Sequence, residues 1–147
     1  MSHPIITLKE HFPYSRTEAA FEKSEKAIEA LLQKFGCSRI ATSQDFRGNI
    51  PLRTLLFEKD GVAYVIPFPV TYYPKDKLNM NISGRIVLNK VKALLVDVEI
   101  GMLSFLQAMS PYLAIEGAPL YEYVEEKKEA LAAHRSPFPE LAAGRSS

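Results

Sequence analysis

Residues 46–77, FRGNIPLRTLLFEKDGVAYVIPFPVTYYPKDK, limit what this chain can fold into more than any other stretch. Two apolar runs, 52–58 and 62–68, flank Lys59-Asp60-Gly61, and an Asp-Gly pair accepts the positive φ angles of a tight hairpin turn. The pattern predicts a β-hairpin. Strand alternation puts Arg53, Leu55 and Phe57 on one face and Leu52, Thr54 and Leu56 on the other. On the second arm Val62, Tyr64, Ile66 and Phe68 alternate with Ala63 and Val65. Both faces are mostly apolar, so helices are expected over one and further chain over part of the other, with Leu52, Leu56 and Ile66 in the core. Pro67 and Pro69 have no N–H for a ladder, so the strand ends there or runs along an edge.

Around this hairpin the remaining elements follow from local signals. Residues 1–14 form an extended lead-in, whose Ile5, Ile6 and Leu8 suit an edge strand or a packed arm. Ser15 and Glu18 form a capping-box pattern, and Phe21, Ser24, Ile28, Leu31, Leu32 and Phe35 then recur at helical spacing up to Gly36, a C-terminal cap. A strand over about 38–46 is predicted, turning at Gly48-Asn49. Residues 70–83 show no clean period and read as a long loop. A long helix is predicted after Ser83, with Ile86, Val87, Val91, Leu94, Leu95, Val98 and Met102 as its apolar stripe and Gly101 as its break. Ser104 caps a short helix ended by Ser110-Pro111, Glu116-Gly117 turns the chain, and a last helix spans about 119–134 before a loop-like tail at 136–147. The order α-β-β-β-α-α-α implies an α+β fold, a small antiparallel sheet of three to four strands with helices packed on one face.

At 147 residues the chain has the size of a single domain, 1–147, and 47% apolar residues are enough for a substantial core. A single cysteine excludes an intramolecular disulfide and fits a reducing compartment, the cytoplasm. No signal peptide is visible, and the greasiest stretch, 93–106, is interrupted by Asp97, Glu99 and Gly101, which argues against a membrane span. The net charge of +1 conceals an asymmetry: residues 38–93 hold nine basic groups against four acidic, and residues 94–147 hold four against eight. A segment at +5 concentrates anions if its charges share a face, whereas pairing with the acidic end would neutralise it.

Three pieces of the chain carry a resemblance to a known family. GVAYVIPFP leaves its strand through a P-x-P exit, VKALLVDVEIGMLSFLQAMSPYLAI runs through a glycine break into a helix starting at Ser104-Phe105, and EGAPLYEYVEEKKEALAAHRSPFPEL gives a turn, a helix and a proline-containing tail. In these features, from about Phe57 onward, the chain resembles a family of short, functionally uncharacterised proteins encoded by phages, prophages and other mobile elements. It departs from that pattern in a shorter hairpin turn before AYVIPFP and in Pro111, where the family continues a helix. The resemblance implies a phage-like, intracellular, non-enzymatic context.

Enzyme chemistry finds little support in the residues. The three histidines, His3, His11 and His134, fall at expected termini or helix ends and none is paired with a nucleophile; Cys37 has no neighbouring histidine. Ligands at zinc-type spacing are absent, Asp97 and Glu99 fall on different sides of a helix, and no Gly-rich phosphate loop occurs. The expectation is a protein with no metal, cofactor or catalytic residue. Aromatic and basic residues do interleave: Phe57, Tyr64, Phe68, Tyr72 and Tyr73 among Arg47, Arg53, Lys59, Lys75, Lys77 and Arg85. Single-strand binders combine a positive groove with stacking faces, so these residues form the candidate interface for single-stranded DNA, or RNA. Aromatic clefts with basic rims occur by fold-level analogy in the ThermoDBP class of single-stranded DNA-binding proteins. Against this, Phe57, Tyr64 and Phe68 at strand spacing suit a core, which shifts the weight to Arg47, Arg53 and the loop from Tyr72 to Lys77. The competing reading is a protein–protein module, an inhibitor or assembly factor acting through the apolar 86–109 region on a host or phage protein; a homodimer through the same helices is also expected.

Overall fold

The computed structural model describes residues 1–9, 20–73 and 77–134. Its elements are β1 (Ile5–Thr7), α1 (Phe21–Lys34), β2 (Arg39–Arg47), β3 (Ile50–Lys59), β4 (Val62–Pro67), β5 (Val70–Tyr73), β6 (Lys77–Leu78), α2 (Met80–Glu99), α3 (Phe105–Met109), a 3-10 turn (Ser110–Tyr112), β7 (Ala114–Ile115), β8 (Ala118–Pro119), α4 (Leu120–Glu126) and α5 (Lys128–Ala132). The class is α+β, as the sequence predicts.

The hairpin forms where Asp60-Gly61 places it. Lys59 and Val62 close a two-residue loop in which Asp60 (φ 53°) and Gly61 (φ 78°) both take positive φ. A second tight turn, Gly48-Asn49, joins β2 to β3 with Gly48 at φ 65°. The result is an antiparallel sheet ordered β2-β3-β4. One face carries Leu55, Phe57, Tyr64 and Ile66, all buried against α1, α2 and α3 in one continuous core with Ile28, Leu32, Leu88 and Val91. The other face is covered only in part, so Leu56, expected inside, is 41% exposed and Leu52 is half-buried. Ile66 is buried as expected.

A second sheet was not legible in the sequence. Residues 70–73 and 77–78, read as loop, are strands, and the order is β1-β5-β6. β1 pairs with β5 in parallel, Ile5 opposite Val70 and Thr7 opposite Tyr72, so the lead-in does supply an edge strand but the sheets are not wholly antiparallel. Asn79 caps α2, its side chain accepting the Asn81 N–H at 3.0 Å, which starts that helix at Met80 rather than after Ser83.

Helix ends follow the predicted chemistry in most places. Gly36, at φ 91°, closes α1 with Gly36 N–H donating to Gln33 and Cys37 N–H to Leu32, the paired bonds of a Schellman motif. Ser104 and Gln107 form a reciprocal capping box on α3. The helix expected over 119–134 is instead two short ones, α4 and α5, separated at Lys127. Met102, placed on the apolar stripe of α2, lies beyond the Gly101 break and is exposed. The Ser15–Glu18 pattern, the lead-in past residue 9 and the tail at 136–147 lie outside the described residues. Among the described residues no helix is long and apolar enough to cross a membrane.

Candidate functional site

Three of the five candidate aromatic residues belong to the core. Phe57, Tyr64 and Phe68 are 3%, 2% and 0% exposed. Phe57 and Tyr64, opposite one another on β3 and β4, stack at 5.0 Å and both meet the Phe105 ring edge-on, while Phe68 meets Phe21 at 4.9 Å. No base can reach their faces, because strand spacing aimed them at the helices. This corrects their assignment as stacking platforms.

Two of the basic residues are engaged in structural contacts. The Arg53 guanidinium lies 4.1 Å from the centre of the Phe21 ring and its Nε donates to Gln44 at 2.7 Å. Such a cation over an aromatic face contributes about 0.5–2 kcal/mol to stability. The Lys59 ammonium is 3.1 Å from Asp60 and 5.7 Å from the Phe105 ring centre. Arg85 is half-buried on α2. Lys75 lies outside the described residues.

The adjacent pair Tyr72-Tyr73 is divided by the pleat. Tyr72 stands opposite Thr7 and Leu78 on the face that also carries Ile5 and Val70; Tyr73 stands opposite Lys77 and points to the other side. Both tyrosines are half-buried and Lys77 is exposed.

The exposed Arg47 sits at the tip of the β2–β3 ribbon and lines a groove of about 670 Å³ between that ribbon and the amino-terminal arm. Met1, His3, Ile5, Ile50, Leu52 and Val70 complete most of its wall. Among the described residues no carboxylate lines it, so its charged and ionisable lining is Arg47, the His3 ring and the chain at Met1. Across the strand from Ile5 and Val70, the same sheet face continues to Tyr72.

The arm that forms this groove is fixed at four points. Ser2 donates through its N–H and hydroxyl to Glu122 at 2.9 and 3.2 Å. The His3 Nε2–H donates to the Arg53 carbonyl at 3.1 Å, with the Thr54 hydroxyl 3.0 Å away. Val70 N–H donates to Pro4, and Leu8 N–H to Tyr72. Burial lowers the His3 pKa below its ordinary value, against the opposing pull of the Arg53 carbonyl. Sequence reasoning missed Ser2, His3 and Glu122 as partners, since nothing local links residue 2 to residue 122.

A separate cleft of about 640 Å³ borders the opposite end of β2, lined by Gln33, Cys37, Ser38 and Ile40 among others. Burial pushes the Cys37 thiol up to about 11, so it is almost wholly protonated at neutral pH and poorly suited to nucleophilic work. Among the described residues no group of three His, Cys, Asp or Glu side chains is placed to hold a metal ion. No protein-family model, curated protein or solved structure matches this chain.

Proposed function

We propose that this protein binds single-stranded nucleic acid, DNA in the first instance and RNA by the same contacts, without catalysing a reaction. The observation that carries this reading is the groove beside Arg47, whose charged and ionisable lining among the described residues includes no carboxylate and whose apolar wall leads towards Tyr72. Arg47 would neutralise backbone phosphate, the half-buried Ile50 and Leu52 would take a base face, and Tyr72 would stack the next. One base–aromatic stack contributes about 1–3 kcal/mol, so affinity depends heavily on Tyr72 and on charge. The context we infer is cytoplasmic and phage-like, in line with the family its sequence resembles, and no cofactor is required. The test is a polarisation titration of labelled oligonucleotides at several salt concentrations. Binding should weaken steeply with salt, as counterion release demands, and Arg47→Ala should flatten the slope by about one phosphate contact. Absence of binding to DNA and RNA at low salt would end this reading.

One observation favours a second reading, a protein–protein module working through the 86–109 region. Val96, Ile100, Met102 and Leu106, at the end of α2 and the start of α3, are all large, apolar and exposed. Exposed apolar side chains gathered in one part of a chain mark interaction surfaces. A host or phage protein held at one-to-one stoichiometry, lost on Ile100→Ser with Met102→Ser and unaffected by Arg47→Ala, would select this reading over the first.

A further inference from the structure

β2 is an edge strand whose outer side pairs with nothing among the described residues. Which of its backbone groups face outward follows from its neighbours. Phe68 N–H donates to the Arg53 carbonyl, so the odd-numbered residues of β3 bond towards β4 and the even-numbered ones towards β2. Register then directs the odd residues of β2 inward, Thr54 facing Ser43 and Leu56 facing Ala41, and turns Ile40, Thr42, Gln44 and Phe46 outward. Pro51 agrees with this: it stands opposite Phe46, where β3 gives β2 no N–H.

The available edge has two ends. At one, Ser38 N–H is already bonded to the Glu58 carbonyl at 2.9 Å. At the other, the Asp45 carboxylate accepts the outward Phe46 N–H at 2.8 Å. Between them the outward amides of Ile40, Thr42 and Gln44 form a set centred on Thr42. An unpaired run of this kind is a template for another strand.

We propose that β2 is a self-association edge, through which two copies of this chain pair antiparallel about a twofold axis at Thr42. Three features of β2 fit this register. Ile40 meets Gln44 of the second copy and Thr42 meets its own counterpart, so all three outward amides find carbonyl partners. On the open face, Arg39 falls opposite Asp45 of the second copy, twice over by symmetry, and opposite charges directly across a sheet stabilise it. Moving the axis one residue, to Ser43, sets Arg39 against Arg47 instead. On the helical face, Phe46 falls opposite Ser38 of the second copy, at the cleft lined by Gln33, Cys37, Ser38 and Ile40. Phe46 is 58% exposed in the single chain, a large apolar side chain with no cover of its own. The pairing supplies a cavity for it and joins two three-stranded sheets into one.

The experiment is the mass of the full chain in solution, by light scattering and sedimentation over a wide concentration range. The wild type should reach dimer mass. Arg39→Asp and Asp45→Arg should each weaken association at least tenfold, and the two combined in one chain should restore it, because each exchanged pair is again opposite in sign. Thr42→Pro, which keeps the inward bonds of β2 and removes the central outward N–H, should give a monomer with an unchanged circular dichroism spectrum. A wild type that stays monomeric at about a hundredfold above micromolar concentration overturns the proposal, as does a dimer indifferent to the charge exchange. Neither result depends on nucleic-acid binding, which is read with Arg47 and Tyr72 in a different assay.

Discussion

The Phe21 N–H, at the first residue of α1, donates to the side-chain oxygen of Asn81 in the first turn of α2 at 3.0 Å. The first amides of a helix have no partner within it, and Ala20, at the N-cap of α1, has no side chain to offer one. Asn81 is itself held by the Asn79 side chain, so one short run caps α2 and reaches across to cap α1. Asn81→Ala should therefore cost about 1 kcal/mol, the usual value of a lost cap, although residue 81 lies sixty positions from the helix it serves. Urea unfolding midpoints of the two proteins measure it, and an unchanged midpoint would show that the contact contributes nothing.

The same pair of helices meets closely at Gly84. A Cβ placed there would stand 3.1 Å from both the Phe21 ring and the Ser24 Cβ, and Phe21 and Ser24 are both buried. Ser24 Cβ is fixed to the α1 backbone, so the helix itself must move to make room. Overpacking of this kind costs about 1–3 kcal/mol, whereas replacing a helical glycine with alanine gains about 1 kcal/mol. Steric cost should win: Gly84→Ala is expected to lower stability by about 1 kcal/mol net, with Ser24→Gly recovering part of the loss in the double variant.

How much of this was readable in advance differs from element to element. Asp60-Gly61, Gly36 and Ser104 announced their turn and caps because those positions depend on residues within four of one another. β5 did not announce itself: VTYY is too short for a period, and its parallel partner β1 is more than sixty residues away in sequence. The candidate site divided along the same line. Alternation correctly grouped Arg53, Leu55 and Phe57 on one face, but only the packing of α1 and α3 decides that this face is inside. The groove beside Arg47 exists because the arm at His3 docks on β3, and no local pattern at residues 1–8 encodes that docking.

Arg47 and Arg53 make a controlled comparison, since both are arginines of the same ribbon with different surroundings. Arg53 covers the Phe21 ring and bonds Gln44, so Arg53→Ala should lower stability by about 1–2 kcal/mol and leave oligonucleotide affinity nearly unchanged. Arg47 is exposed at the groove, so Arg47→Ala should leave thermal stability within about 0.5 kcal/mol of wild type and weaken binding at low salt. Thermal melts and polarisation titrations of both variants separate the two roles. The reverse pattern would move the interface to the Phe21 side of the ribbon.

Docking of the arm should depend on pH in a direction fixed by His3. Its ring donates from Nε2 to the Arg53 carbonyl, and adding a second proton charges a group that is partly buried and near the amino-terminal ammonium; Glu122 offsets this in part. The folded pKa therefore lies below the ordinary histidine value of about 6.5, and the unfolded chain binds the proton more readily. The sign follows: this contribution is fully present above the unfolded value, and it is lost as pH falls through the lower folded value. Melting temperature should hold steady from pH 8 to about 6.5 and decline below that, in a range where most carboxylates stay ionised. His3→Gln keeps a donor in place of Nε2 and removes the titration, so its profile should stay flat across the same interval. A wild type and variant that decline in parallel would assign the acid sensitivity to another group and leave His3 with a packing role alone.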